Sequence, residues 1–319
     1  MITEEKKFLS SNGSAQITYY TFIPEGNPVA ILQICHGMAE HIPRYADFAA
    51  YMVEKGVIVC GCDHLGHGKS IPEDGAPGYF GPGKALDVLV ADQRLLVLEM
   101  RKKYKHLPYI LLGHSMGSFI TRRFISDYRD LIDGAIICGT AGPDSPAGLG
   151  KAVAGIVSFF KGKRNAKKPS MILAVMAFGS YNKRVPKNDK SNWLTRDAAI
   201  VEKYGSDPLC GFPFTPTGFR QMFECIKIVN SEEWAPSVDK SLSLMVTAGE
   251  EDPVGSYGKG PRRVYEMLKD AEIEDVELKM YPGCRHEILN EINKAEVYAD
   301  FAAFILRVAD NARALRTGV

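Results

Sequence analysis

The chain has 319 residues, 45% of them hydrophobic, and a formal net charge of +1. That length can bury the core of one large domain or two, and the near-neutral balance gives no reason to expect nucleic acid or another polyanion as a partner. No run approaches the ~18 uninterrupted apolar residues of a membrane-spanning helix, the opening "MITEEKKFLS" lacks a signal-peptide pattern, and seven cysteines without metal-ligand spacing read as reduced thiols, so the expectation is a soluble cytoplasmic protein.

Short apolar runs alternate with amphipathic segments. "AILQICHG" (Ala30–Gly37) predicts a strand buried on both faces, and "RYADFAAYMVEKG" a helix stopped by Gly56. "VIVCGCDHLG" and "YILLGHS" repeat the strand pattern, separated by the helical "DVLVADQRLLVLEMRKKY" with Leu89, Leu96 and Met100 on one face. "MGSFITRRFISDY" predicts the next helix and "GAIICGTAG" a fourth strand. Two more strands, "SLMVTAGEED" and "VELKMYPGCRH", flank the helical "YGKGPRRVYEMLKD". A final helix carries Val297, Phe301, Phe304, Ile305 and Val308 as a stripe. This alternation predicts an α/β fold, a mostly parallel sheet flanked by helices on both faces.

Residues 142–240 break the alternation with the helical segments "PSMILAVMAFGSY", "NWLTRDAAIVEKYG" and "TPTGFRQMFECIKIVN". They hold 15 Lys and Arg against 9 Asp and Glu, while the remainder holds 24 against 29. A basic helical insert in an acidic sheet domain is expected to be a cap. The core would then comprise residues 1–141 and 241–319.

Within "LLGHSMGS", Ser115 sits between two glycines where a strand turns into a helix. That turn lifts the hydroxyl to the carboxyl edge of the sheet, against a helix N-terminus. A serine needs a base, and the base a carboxylate. His286 in "YPGCRHEILNE" follows the last strand and is the expected base; His114 is expected to point away from the site. His64 and His67, near Asp63 in "DHLGHGKS", are expected to be packed in a hydrogen-bonded loop rather than to hold a metal. For the acid, "TAGEEDPVG" offers Glu250, Glu251 and Asp252. Asp252 is preferred because Pro253 favours an extended residue before it, and Asp144 is the rival. Oxyanion donors are expected at the Met116 and Met38 N–H groups, with Gly37 allowing close approach.

These stretches resemble the α/β-hydrolase fold, and within it the monoacylglycerol lipase and lysophospholipase branch. "HGMAEHIPRY" is similar to that branch's oxyanion segment, "CDHLGHGKS" to its glycine-rich loop, and "LLGHSMGS" to its nucleophile elbow. "WLTRDAAIVEKYGSDPLC" is similar to part of its cap, and "AGEEDPVG" and "YPGCRHEILNE" to its acid and base loops. The likeness runs from about residue 30 to 305; Ala39 departs from it where the branch usually has glycine, and residues 145–190 match poorly. The resemblance implies ester hydrolysis through an acyl-enzyme on Ser115, with no metal or organic cofactor and a small-molecule acyl ester as substrate. A proline-type aminopeptidase is the alternative enzyme and a hydrolase-fold binding protein the non-enzymatic one. Ser115 excludes an aspartate-nucleophile dehalogenase or epoxide hydrolase.

Ala152–Phe160 and Met171–Phe178 are expected to line the substrate site. Both are apolar, and Lys161, Lys163, Arg164, Lys167 and Lys168 lie between them. An apolar lobe flanked by cations suits transient contact with an anionic lipid surface.

Overall fold

The computed structural model describes residues 1–144, 167–186 and 191–317. Eight strands form one sheet: β1 (Ile2–Leu9), β2 (Gln16–Ile23), β3 (Ala30–Cys35), β4 (Val57–Cys62), β5 (Tyr109–His114), β6 (Gly134–Cys138), β7 (Ser243–Gly249) and β8 (Val276–Tyr281). Their spatial order is β1-β2-β4-β3-β5-β6-β7-β8. The β1–β2 and β2–β4 pairs are antiparallel, and every pair from β4–β3 to β7–β8 is parallel. This is the mostly parallel sheet the sequence predicts, extended by an N-terminal hairpin that it did not.

Strand alternation explains the apolar runs. In β3, Ile31 packs into one core while Ala30, Leu32 and Ile34 face a second core across the sheet. In β5, Tyr109 and Leu111 take the first side and Ile110 and Leu112 the other. A strand covered by helices on both faces has no position for a solvated side chain. The first face is covered by α2 (Ala85–Lys103), α3 (Met116–Asp127) and the later α7 (Lys259–Asp270). The second face is covered by α1 (Ala46–Glu54) and α8 (Lys294–Thr317). The stripe Val297, Phe301, Phe304, Ile305 and Val308 is buried in that second core. All seven cysteines are free, and six of them, all but Cys210, are buried.

Between β6 and β7 run α4 (Met171–Phe178), α5 (Ala198–Ser206) and α6 (Pro216–Val229), matching the three helical segments expected there. Arg122 of α3 ties both ends of this insert. It donates to Thr140 and Ala141 where the chain leaves the sheet, and to Val229 and Asn230 where it returns. Asp197 caps α5 by accepting from the Ala199 and Ile200 N–H groups, and Thr215 caps α6 through the Gly218 N–H. Ala152–Phe160, Lys161, Lys163 and Arg164 lie outside the described residues.

Candidate active site

Four loops meet at the carboxyl ends of the parallel strands, where open α/β sheets collect their functional groups. Gly37 and Met38 follow β3, Ser115 follows β5, Asp252 follows β7 and His286 follows β8. Since β3 neighbours β5 and β7 neighbours β8, the topology gathers residues that are far apart along the chain.

Ser115 has φ 54° and ψ −120° and immediately precedes α3. A positive φ in a residue with a Cβ is strained by about 1–3 kcal/mol and persists where its surroundings enforce it. Here the neighbours do so. A Cβ on Gly113 would collide with the Gly117 carbonyl and Thr121, and one on Gly117 with the Cys35 carbonyl. The two glycines therefore let α3 sit hard against β3 and β5, which is the physical content of G-x-S-x-G. Met116, the first residue of α3, has no carbonyl four residues earlier within the helix for its N–H.

Asp252 is fully buried, and its Oδ2 lies 2.9 Å from Nδ1 of His286, itself 2% exposed. Asp252 also accepts the Val254 N–H at 2.8 Å, which closes the turn that aims it. The carboxylate is thus placed to set the histidine tautomer and leave Nε2 for chemistry. Ser115, His286, Met38 and Met116 line one cavity of about 530 Å³. Phe119, Leu173, Ala174, Met222, Phe223 and Ile226 give that cavity apolar walls. Of the two expected lining segments, α4 supplies Met171, Leu173, Ala174, Met176, Ala177 and Phe178, while Ala152–Phe160 falls outside the described residues.

A buried network that the sequence reading missed holds the loop after β3. Glu40 accepts the Gly37 N–H at 2.5 Å, the Tyr45 hydroxyl at 2.9 Å and the Arg44 guanidinium at 2.5 Å. Arg44 also forms a two-pronged pair with Glu287, at 2.9 and 2.7 Å. Burial works against both carboxylates, but Arg44 outweighs it and holds Glu40 well below the usual range and Glu287 below it. A Cβ on Gly37 would lie 2.6 Å from Glu40 Oε1 and 3.2 Å from Cβ of Ser115, so only glycine permits this close approach. The Glu40/Arg44 spacing of four in "EHIPRY" was a signal for half of the network; Glu287, next to His286, was visible only in three dimensions.

His114 corrects one expectation. It is not turned away: Nδ1 lies 3.3 Å from Glu40 and Nε2 3.2 Å from the His286 carbonyl, and it lines the same cavity. The chain bends at the strained Ser115, so simple strand alternation does not carry past residue 114. Burial would depress its protonation, yet the Glu40 contact raises it. His64 and His67 do pack into an interlocked loop. The His64 N–H donates to His36 Nε2 at 2.9 Å, and Asp63 receives the N–H groups of Ile42 and Lys69, each at 2.9 Å. Asp144, Glu250 and Glu251 are not the carboxylates paired with His286.

Residues of the insert form part of the same cavity wall. Trp193 packs against His286 with the rings tilted by 37° and their centres 5.1 Å apart, and Tyr181 and Phe178 continue the aromatic row. Ala39, at φ 53°, is the non-glycine residue of the oxyanion segment, and its carbonyl is gripped by the Tyr204 hydroxyl at 3.1 Å and the Gly211 N–H at 3.0 Å. The departure from glycine is therefore accommodated by two hydrogen bonds from the insert.

Comparison with known proteins agrees with this architecture. The family described as Serine aminopeptidase, S33 matches residues 26–293. A monoacylglycerol lipase of Mycolicibacterium smegmatis is 26% identical over 95% of this chain and 98% of its own. The human monoglyceride lipase is 28% identical over 84% of this chain and 79% of its own. Among solved structures, a highly thermostable carboxyl esterase from Bacillus coagulans, crystallised with glycerol, superposes with a TM-score of 0.89 and 30% identity. It covers 97% of this chain and 99% of that one.

Proposed function

The chain belongs to the Serine aminopeptidase, S33 family of α/β-hydrolases and is a serine ester hydrolase, and on that footing we propose that it cleaves monoacylglycerols or lysophospholipid-type esters through an acyl-enzyme on Ser115. The observation that carries the reading is the 2.9 Å Asp252–His286 pair in the cavity wall that also holds the strained Ser115. In this mechanism His286 takes the Ser115 proton as Oγ attacks the ester carbonyl, and the Met38 and Met116 N–H groups receive the oxyanion. His286 then protonates the departing alcohol and activates the water that frees the fatty acid. Every step uses groups of this chain.

The cavity supports an uncharged or single-chain substrate. At about 530 Å³ it falls within the roughly 300–1,000 Å³ of sites that enclose one small ligand, and its walls are apolar. An aminopeptidase needs a carboxylate for the substrate ammonium. The carboxylates among the described lining residues, Glu40 and Glu287, are both committed to Arg44, which favours the esterase reading.

Contact with a lipid surface through the insert is the finer part of the proposal. On α4, Ile172 and Val175 are 67 and 63% exposed and lie off the cavity, Met171 and Met176 stand at its rim, and Leu173 within it is 2% exposed. One helix thus turns apolar side chains both outward and into the cavity, as an element that dips into the interfacial layer would. Of the expected cations, Lys167 is engaged with Asp74 at 2.9 Å.

The test is a fluorophosphonate probe and a panel of monoacylglycerols, lysophospholipids, nitrophenyl esters and aminoacyl amides. Wild type should be labelled at Ser115 and should turn over the glycerol or lysophospholipid esters best. Ser115→Ala should fold normally and lose both labelling and turnover. Activity retained by that variant, or a preference for aminoacyl amides, would overturn the assignment.

A further inference from the structure

His41, two residues beyond the strained Ala39, and the turn after α5 meet where the insert rests on the core. His41 Nε2 lies 2.8 Å from Oδ2 of Asp207, and with Cys210 the three donor atoms all lie within 4.8 Å of one another. The His41 ring is buried, with a side chain 10% exposed, and Asp207 and Cys210 are half-buried. The turn is built to hold the two insert residues together. The Cys210 N–H donates to the Asp207 carbonyl at 3.0 Å, and the Leu209 N–H to Asp207 Oδ1 at 2.8 Å. The next residue, Gly211, holds the Ala39 carbonyl.

We propose that His41, Asp207 and Cys210 form an inhibitory site for a zinc ion at the joint between the insert and the oxyanion loop. The donor set selects the metal: imidazole, thiolate and carboxylate together suit zinc, whereas magnesium and calcium take oxygen ligands. Three protein ligands with an open fourth position is an ordinary zinc arrangement. Bond lengths of about 2.0–2.3 Å put tetrahedral ligands about 3.3–3.8 Å apart. The 2.8 Å His41–Asp207 contact must therefore open slightly, and the other separations, all within 4.8 Å, lie within reach of that geometry. His41 belongs to the loop that carries Met38 and Ala39, so this adjustment shifts the expected oxyanion donor.

Binding releases the Cys210 thiol proton to solvent, while the neutral His41 ring keeps its proton on the nitrogen that does not take the metal. The site acts as a brake, separate from the proposed hydrolysis by Ser115 and His286.

The experiment is calorimetric titration of zinc sulfate into wild type, Cys210→Ala and Ser115→Ala, paired with nitrophenyl-ester turnover in zinc or EDTA. Wild type should bind one zinc per chain and lose turnover, with EDTA restoring it. Cys210→Ala should keep its basal turnover, bind zinc about 100-fold more weakly or worse, and escape inhibition. Ser115→Ala should bind zinc like wild type, which keeps the site testable even if the proposed ester chemistry fails. If Cys210→Ala binds zinc as tightly as wild type and is equally inhibited, the metal sits elsewhere, with Asp252 and His286 the next candidates, and the proposal is wrong. No binding to wild type also overturns it.

Discussion

Replacing Arg44 with methionine would strand two buried carboxylates beside the active site. Glu40, Arg44 and Glu287 have side chains only 4, 9 and 5% exposed, so solvent cannot stand in for the lost guanidinium. Removing one partner of a buried ion pair costs about 3–5 kcal/mol, because the other charge stays desolvated. Glu40 retains the Gly37 N–H, Tyr45 and His114, whereas Glu287 is left with the Asn290 amide at 2.9 Å. Glu287 should therefore be the group that suffers, and it can escape by taking a proton. In wild type its folded value lies below the unfolded one, so its contribution is fully present above about 4.5 and is lost as pH falls through the folded value. In Arg44→Met the folded value should rise above the unfolded one. The variant then loses stability as pH climbs from about 4.5, by up to about 1.4 kcal/mol per unit. Urea unfolding at about pH 5.5 and pH 8 should show a deficit that widens with pH, and Arg44→Met/Glu287→Gln should recover part of it. A deficit below about 1 kcal/mol with no pH dependence would mean that the network is solvated and the reasoning mistaken.

Asp252→Asn should lower kcat by roughly 10⁴-fold with the fold intact, since the amide favours the wrong histidine tautomer; a larger loss in Asp144→Asn would place the acid after β6 instead. Burial lowers His64 to about 4 and His67 to about 3 and also depresses His36. The unfolded chain takes up those protons from about pH 6.5 downward while the folded chain refuses them, so stability should fall below that pH on the order of 1.4 kcal/mol per unit per histidine. Urea midpoints that stay flat as pH drops from about 7 to 5 would refute this. Glutamine at Ile172 and Val175, which do not line the cavity, should weaken co-sedimentation with lipid vesicles and spare turnover of a soluble nitrophenyl ester. Equal sedimentation of variant and wild type would leave α4 as a cavity wall alone.

The parts of the fold that were readable are those where one local signal suffices. Strands β3 to β7 are continuous apolar runs because both faces are covered; Ser115 and Asp252 each sit in a turn just past such a run, and His286 in the turn past the half-buried β8. β1 escaped notice because "ITEEKKFL" is an edge strand with charged Glu4, Glu5, Lys6 and Lys7, mostly exposed and without apolar alternation. β2 did carry a signal in the aromatic and β-branched "QITYYTFI", but its meaning depends on pairing with β1 and β4. Arg44 and Glu287 are 243 positions apart, and no spacing rule links them; only the convergence of β3 and β8 loops does. His114 was misjudged because strand alternation was carried into a residue beside the bend at Ser115.

The two tryptophans stand in settings that separate them spectroscopically. Trp234 is 3% exposed, donates to the Arg122 carbonyl at 2.8 Å and lies under the Arg122 guanidinium at 4.1 Å, outside the cavity wall. Trp193 is part of the cavity wall and packs at a tilt against His286. The molecule therefore carries a native optical sensor, one indole reading occupancy of the site and the other serving as an internal reference. Emission should respond to a covalent Ser115 inhibitor in wild type and fall silent in Trp193→Phe, giving a label-free way to time acylation against release of the acid.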